Sequence, residues 1–130
     1  MIDVSIHSIP HKEHRYPTCG DYWEGHTGAR VIVVSEMANE DYELLVGFHE
    51  LVEQHLCKKH GISEESITAF DVKWEKDRAD GKPSKYDEPG CDPAAPYHHE
   101  HMFAMRLEKM FAREIGVDWK LYDETVMGLP

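Results

Sequence analysis

The fold is decided by residues 31–61, which read VIVVSEMANEDYELLVGFHELVEQHLCKKHG. Four β-branched residues at 31–34 predict a strand that is buried on both faces. The main helix is predicted over residues 39–60, with Ser35 or Asn39 as its N-cap. Acidic residues in its first turn and lysines in its last turn suit the helix dipole. A buried strand that leads into a long helix is therefore the centre of the predicted fold.

The rest of the chain predicts smaller strands and further helices around this unit. Alternating apolar and polar residues at 2–6 predict a strand that ends at Pro10. The other predicted elements are a hairpin of residues 22–23 and 29–35 around a turn at 24–28, and helices over 63–78, 96–116 and from 118 onward. We therefore predict a single α+β domain over residues 1–130, with short antiparallel β-strands at the N-terminus packed on three or four helices.

Residues 80–96 predict a long loop, because Gly and Pro recur along them, Pro83 included. A loop of this length is uncommon in a compact domain unless it is mobile or functional. It is either a disordered connector or a flap over a site, since it leads directly into a group of histidines.

Composition and charge exclude several classes of protein. The hydrophobic fraction of 41% and the charged fraction of 30% are ordinary for a soluble globular protein. No apolar run approaches the roughly 18 residues of a membrane span, and the N-terminus lacks the basic segment of a signal peptide. The net charge of −11 and the scattered Lys and Arg residues argue against nucleic acid and anionic membranes as partners.

The cysteines and histidines carry different information. Cys19, Cys57 and Cys91 are too widely spaced for a zinc ribbon, and they predict free thiols in a reducing cytoplasm. The 10 histidines concentrate at residues 6–14, 49–60 and 98–101. They indicate either ordinary surface residues or a set of metal ligands.

A candidate metal site begins on the predicted main helix. His49 and Glu53 are four residues apart, so their side chains lie one above the other and can bind one ion. Glu50 points about 100° away from His49 and is the candidate catalytic base. On the third predicted helix, His101 faces inward and is the first choice for a third ligand. Weaker candidates for the same role are Glu100, Glu108 and His98.

This set of side chains predicts hydrolytic chemistry. Two imidazoles and a carboxylate with one open position suit catalytic zinc, and they also accept Mn²⁺, Fe²⁺ or Ni²⁺. The predicted cofactor is therefore a divalent metal, zinc first of all. In such a site the ion lowers the pKa of bound water, Glu50 takes the proton, and hydroxide attacks the carbonyl of a peptide or protein substrate. His98 or His99 could stabilise the developing oxyanion.

Two resemblances accompany these residues. The order of a strand, a helix with His49-Glu50-x-x-Glu53 and a later helix with a third ligand resembles the core of zincin metallopeptidases over residues 30–57. It implies that His49 binds zinc and Glu50 is the general base, with Glu53 where the family has its second histidine. The chain is also similar to small uncharacterised phage or prophage proteins, in YPTCGDYW at 16–23 and APYHHEH at 95–101, a likeness that implies no function.

Two other functions fit parts of the sequence. Glu50 and Glu53 form an ExxE pair like the one with which all-α NTP pyrophosphohydrolases hold Mg²⁺, although the ExxD pair expected on the following helix is missing. A non-catalytic phage or prophage binding or inhibitor module would instead use the acidity of the chain against a basic partner, with structural histidines.

Overall fold

The structure is a computed structural model that describes residues 1–82 and 84–130. It confirms the α+β fold. Pro83, one residue of the predicted loop, lies outside the described part. The strands are β1 (Val4–Ile9), β2 (Gly20–Glu24) and β3 (Arg30–Ser35), and the helices are α1 (Glu40–Lys59), α2 (Glu64–Ala79), α3 (His98–Glu114) and α4 (Trp119–Met127). Short 3-10 turns occur at His11–Glu13 and Pro89–Cys91.

The three strands form one mixed sheet in the order β1-β3-β2. β2 and β3 pair antiparallel as the predicted hairpin, with Tyr22 opposite Ile32. The expectation that all strands are antiparallel is wrong for β1, which pairs parallel with β3. The cause is the connection at residues 10–19, which carries the chain past β3 to the opposite edge of the sheet. β3 is thus the central strand, and its residues Ile32, Val33 and Val34 are buried, as the β-branched run predicts.

The helix caps follow the sequence closely. The side chain of Asn39 accepts a hydrogen bond from the backbone N–H of Tyr42, so Asn39 caps α1 and Ser35 stays in β3. Ser63 and Asp118 cap α2 and α4 in the same way. These bonds satisfy backbone donors that the first turn of a helix leaves unpaired.

α1 packs between the sheet and α3, and this position decides which of its faces is buried. Leu45, Val46 and Cys57 join the core there. Gln54 is polar but only 5% exposed, because its side chain lies under β2 and donates to the carbonyl of Trp23. Phe103 of α3 is exposed although it is apolar. His49 and Glu53 of α1 and His101 and Glu108 of α3 are buried, so these two helices meet along a face rich in polar groups.

The second half of the predicted loop folds against α3. The 3-10 turn Pro89–Cys91 packs on both α2 and α3, and Gly90 within it is buried. Among the described residues, no helix combines the length and the hydropathy needed to cross a membrane.

Candidate metal centre

Three buried side chains from α1 and α3 converge on one point. His49 Nε2 lies 3.0 Å from Glu53 Oε2 and 3.1 Å from His101 Nδ1, and His101 Nδ1 lies 2.9 Å from Glu53 Oε2. His49, Glu53 and His101 are only 5%, 4% and 6% exposed. The helical spacing of residues 49 and 53 and the packing of α3 on α1 together produce this triangle of ligand atoms.

The size of the triangle fits a small divalent ion. With sides of 2.9–3.1 Å, a point about 2.1 Å from each corner, the usual zinc–ligand distance, lies about 1.2 Å outside its plane. One side of such an ion would remain free for a further ligand. The three residues can therefore hold an ion with an open position.

The outer nitrogen of His49 is held by a carboxylate. Its Nδ1 donates to Glu108 Oε1 over 2.6 Å, and Tyr122 donates its hydroxyl to Glu108 Oε2 over 2.6 Å. Glu108 and Tyr122 are both buried. When the ring is neutral, a carboxylate on Nδ1 keeps the proton there and leaves the lone pair on Nε2, which is the tautomer that metal binding needs.

His101 is also held by a carboxylate, but with the roles of its two ring nitrogens exchanged. Its Nε2 donates to Glu88 Oε1 over 3.0 Å, which leaves Nδ1 directed at the triangle. Glu88 reaches the ring because Gly90, two residues on, packs directly against it. A Cβ at Gly90 would lie 2.4 Å from Cγ of His101, which is closer than real contacts allow.

The remaining oxygen of Glu53 is also occupied. Tyr22, on β2, donates its hydroxyl to Glu53 Oε1 over 2.9 Å. All three converging side chains are thus oriented by a second group, namely Glu108, Glu88 or Tyr22. Partners of this kind fix the geometry of a metal ligand and tune its basicity.

The carboxylates also control the protons on the two imidazoles. Burial alone would lower the pKa of His49, but hydrogen bonds to Glu108 and Glu53 outweigh it and raise that pKa to about 10. Burial would also lower the pKa of His101, but hydrogen bonds to Cys91, Glu53 and Glu88 outweigh it, so the pKa of His101 is raised. In Glu53 burial acts against the charged form, yet the hydrogen bonds from both imidazoles lower its pKa to about 2. A metal ion would therefore enter by displacing protons.

A cavity of about 370 Å³ opens onto this cluster. Glu50 lines it beside the converging residues, and the backbone of Gly20 lies against its side chain. Burial and the nearby charge of Glu53 raise the pKa of Glu50 well above the ordinary value. Among the described residues, no group forms a hydrogen bond to the Glu50 carboxyl group, which lines the cavity.

The charge of the cavity wall is strongly negative. Nine acidic residues line it, and Arg78 is the one Lys or Arg among the described lining residues. Asp71 is part of this wall and accepts hydroxyl hydrogen bonds from Tyr97 over 2.5 Å and from Tyr16 over 3.1 Å. Burial raises its pKa to about 7, although both hydroxyls act against that shift. The wall favours cationic or neutral ligands over anionic ones.

The other predicted site residues lie elsewhere or act indirectly. Glu100 accepts from His60 Nδ1 over 2.6 Å, and His98 Nδ1 donates to the carbonyl of Gly90 over 2.9 Å. His99 is exposed. Glu108 is close to the cluster but binds the outer nitrogen of His49 rather than the converging point.

Sequence reasoning did not identify Glu88, Tyr22, Tyr122 or Asp71 as members of this region. Tyr22 was assigned to hairpin packing, and Glu88 lies in a segment with no helical or strand periodicity. The one signal available was the position of the loop, which leads directly into the histidines of α3.

Comparison with known protein families, with curated proteins and with solved structures found no match to this chain. The interpretation of the site therefore depends on its own geometry.

Proposed function

We propose that this protein binds a divalent metal ion, zinc first of all, through His49, Glu53 and His101, and hydrolyses a peptide or amide bond beside it. One observation carries the metal site. The imidazoles of His49 and His101 each direct one nitrogen at a shared point, and these two nitrogens are 3.1 Å apart. The second nitrogen of each ring donates to a carboxylate. That combination is the usual arrangement around metal-bound histidines.

The proposed chemistry needs a proton acceptor beside the ion. A bound divalent ion lowers the pKa of a water ligand and polarises a carbonyl oxygen. Glu50 is the acceptor in this proposal, because it lines the same cavity and has no hydrogen-bond partner among the described residues. Glu53 and the two imidazoles are engaged with one another and with their outer partners, so they are not available for that step.

The metal is tested first. Protein stripped with a chelator and dialysed is titrated with Zn²⁺ against a chromophoric competitor, with His49→Gln and His55→Gln compared under the same conditions. His55 lies on the same helix but is exposed. We expect His49→Gln to bind one zinc equivalent fewer than the wild type, and His55→Gln to bind as many as the wild type. Equal stoichiometry and affinity in all three proteins would reject the site.

Hydrolysis is tested separately with defined synthetic peptides and mass spectrometry of the products. We expect zinc-loaded protein to cleave, and Glu50→Gln to lose about 10²–10⁴-fold in rate while it still binds zinc. Glu64→Gln is the matched control, because Glu64 lines the same cavity but is exposed. Cleavage by Glu50→Gln at the wild-type rate would remove Glu50 from the mechanism.

The non-catalytic alternative is favoured by one observation, the raised pKa of His49 and His101. With both imidazoles protonated, the cluster is a buried network of ion pairs that needs no ion. In that case the protein would be a non-catalytic binding or inhibitor module of phage or prophage type, and its acidic surface would bind a basic partner. Nuclear magnetic resonance of the imidazole nitrogens, with and without zinc, separates the cases, since zinc must remove a proton from each ring.

The NTP pyrophosphohydrolase alternative has less support. Glu53 is held by both imidazoles and by Tyr22, which leaves Glu50 without its partner for Mg²⁺. A triphosphate would also face the acidic wall of the cavity. Release of pyrophosphate from a panel of nucleotides in the presence of Mg²⁺ would restore this alternative.

A further inference from the structure

A second group of metal-binding atoms meets on the outer side of His101. Cys91 Sγ lies 3.6 Å from His101 Nε2 and 3.6 Å from Glu88 Oε1, and that oxygen lies 3.0 Å from the same nitrogen. A thiol, a carboxylate and an imidazole nitrogen thus converge, in addition to the triangle formed with His49 and Glu53.

The local backbone builds this group. The 3-10 turn Pro89–Cys91 places Glu88 and Cys91 on one side, with the N–H of Cys91 bonded to the carbonyl of Glu88 over 3.1 Å. Gly90 lets the turn lie flat on the imidazole, since any side chain there would collide with the ring. The close approach explains why a glycine stands between the two ligands.

The distances suit a tetrahedral ion. Zinc–sulfur bonds of about 2.3 Å and zinc–nitrogen bonds of about 2.0–2.1 Å place sulfur about 3.5–3.6 Å from nitrogen, and nitrogen about 3.3–3.4 Å from oxygen. The observed sulfur–nitrogen separation of 3.6 Å matches the first value, and the nitrogen–oxygen separation of 3.0 Å would lengthen slightly when an ion binds. A thiolate in the set favours zinc and other thiophilic ions over Mg²⁺ or Ca²⁺.

We propose that Glu88, Cys91 and His101 form a second metal site, and that the imidazole of His101 bridges it to the first. The bridge rests on the proposed first site, whereas the second set of ligands does not. Binding replaces the thiol proton of Cys91 and the Nε2 proton of His101, both of which pass to solvent. The groups around the two sites would then carry five negative charges, on Glu53, Glu88, Glu108, Cys91 and the bridging imidazolate. Two divalent ions would balance four of these five charges.

The two sites differ in access. The Glu88 side chain is 32% exposed, and Cys91 is partly exposed, whereas the ligands of the first site are buried. The second site therefore lies nearer to solvent than the first. With one ion at the first site, His101 keeps its Nε2 proton and donates to Glu88; the second ion takes the place of that proton.

The test is a Co²⁺ titration of reduced, metal-free protein, since a cobalt thiolate gives a charge-transfer absorption that histidine and carboxylate ligands do not. We expect two equivalents in the wild type, with the thiolate band present. Cys91→Ser should lose the band and one equivalent. Cys19→Ser is the control, because Cys19 is a partly buried thiol that lines the cavity but belongs to neither ligand set.

The outcomes separate the two sites. If His49→Gln loses one equivalent and keeps the band, both proposals are supported. A wild type that binds one ion without the band overturns the second site and leaves the first intact. A band that persists in Cys91→Ser, or that is lost in Cys19→Ser, overturns the assignment of Cys91. If His49→Gln still binds two ions with the band, the second site stands and the first is overturned.

Discussion

Replacing Glu108 with glutamine tests whether the cluster is a metal centre with an oriented ligand. Glutamine has nearly the same shape, and its amide can still accept from His49 Nδ1 and bond to the Tyr122 hydroxyl. The change therefore removes a charge from a buried carboxylate that lies 2.6 Å from the imidazole. Hydrogen bonds, packing and volume stay nearly constant.

The size of the effect follows from that single contact. A hydrogen bond to a charged group contributes about 1.5–3 kcal/mol, and one to a neutral group about 0.5–1.5 kcal/mol. The difference of about 1–1.5 kcal/mol corresponds to a zinc affinity roughly ten-fold weaker, at the lower end of the 10–100-fold expected for such partners. Tyr122→Phe keeps the charge and removes only the hydroxyl on Glu108, so its effect should be smaller.

The assay is competition for Zn²⁺ against a chromophoric chelator, with folding checked by circular dichroism. Glu114→Gln is the control, because Glu114 lies in the last turn of the same helix and is exposed. The reasoning is refuted if Glu108→Gln and Glu114→Gln bind zinc equally well.

Three further results are expected. Metal-free protein should lose stability as the pH rises from about 6.5 to 10. His49, with a folded-state pKa of about 10, holds a proton that the unfolded chain releases, which contributes up to about 1.4 kcal/mol per pH unit, and His101, whose pKa is also raised, adds to this loss. Urea melts that are flat over this range would contradict it. Tyr22→Phe should weaken zinc binding several-fold in the same competition assay, since Glu53 Oε1 loses its donor. Asn39→Ala should lower the free energy of unfolding by about 1 kcal/mol, because α1 loses its cap, and should leave the zinc affinity unchanged. A zinc affinity that falls in this variant would show that the site depends on the cap.

The local elements were accessible from the sequence because short-range rules determine them. Helix caps at Asn39, Ser63 and Asp118 are read from residue type and position alone. The same holds for the pairing of His49 with Glu53, which helical periodicity places on one line. His101 was chosen because a helical projection turned it inward, and the structure brings it to the same point. That these three residues bind a metal stays a prediction.

The parts that sequence reasoning missed depend on long-range packing. The parallel pairing of β1 follows from the path of residues 10–19, which has no periodic signal. Glu88 meets His101 only because Gly90 admits the turn to the ring. Tyr22 reaches Glu53 from a strand that precedes it by about thirty residues in the chain, and an aromatic residue in a hairpin indicates packing by default.

The remaining choice is between protons and a metal ion as the positive charge in the core. Buried carboxylates such as Glu53 and Glu108 are costly unless a cation lies beside them, so one or the other must be present. Two protons on each ring satisfy every imidazole–carboxylate pair but leave two cationic rings with nitrogens 3.1 Å apart, whereas one proton fewer lets these two nitrogens share an N–H···N hydrogen bond. A metal ion turns the same contact into an attraction, because both nitrogens and the Glu53 oxygen then donate to one centre. The two ring nitrogens are thus close enough either to share one proton or to bind one metal ion, and zinc titration of the metal-free protein distinguishes the two.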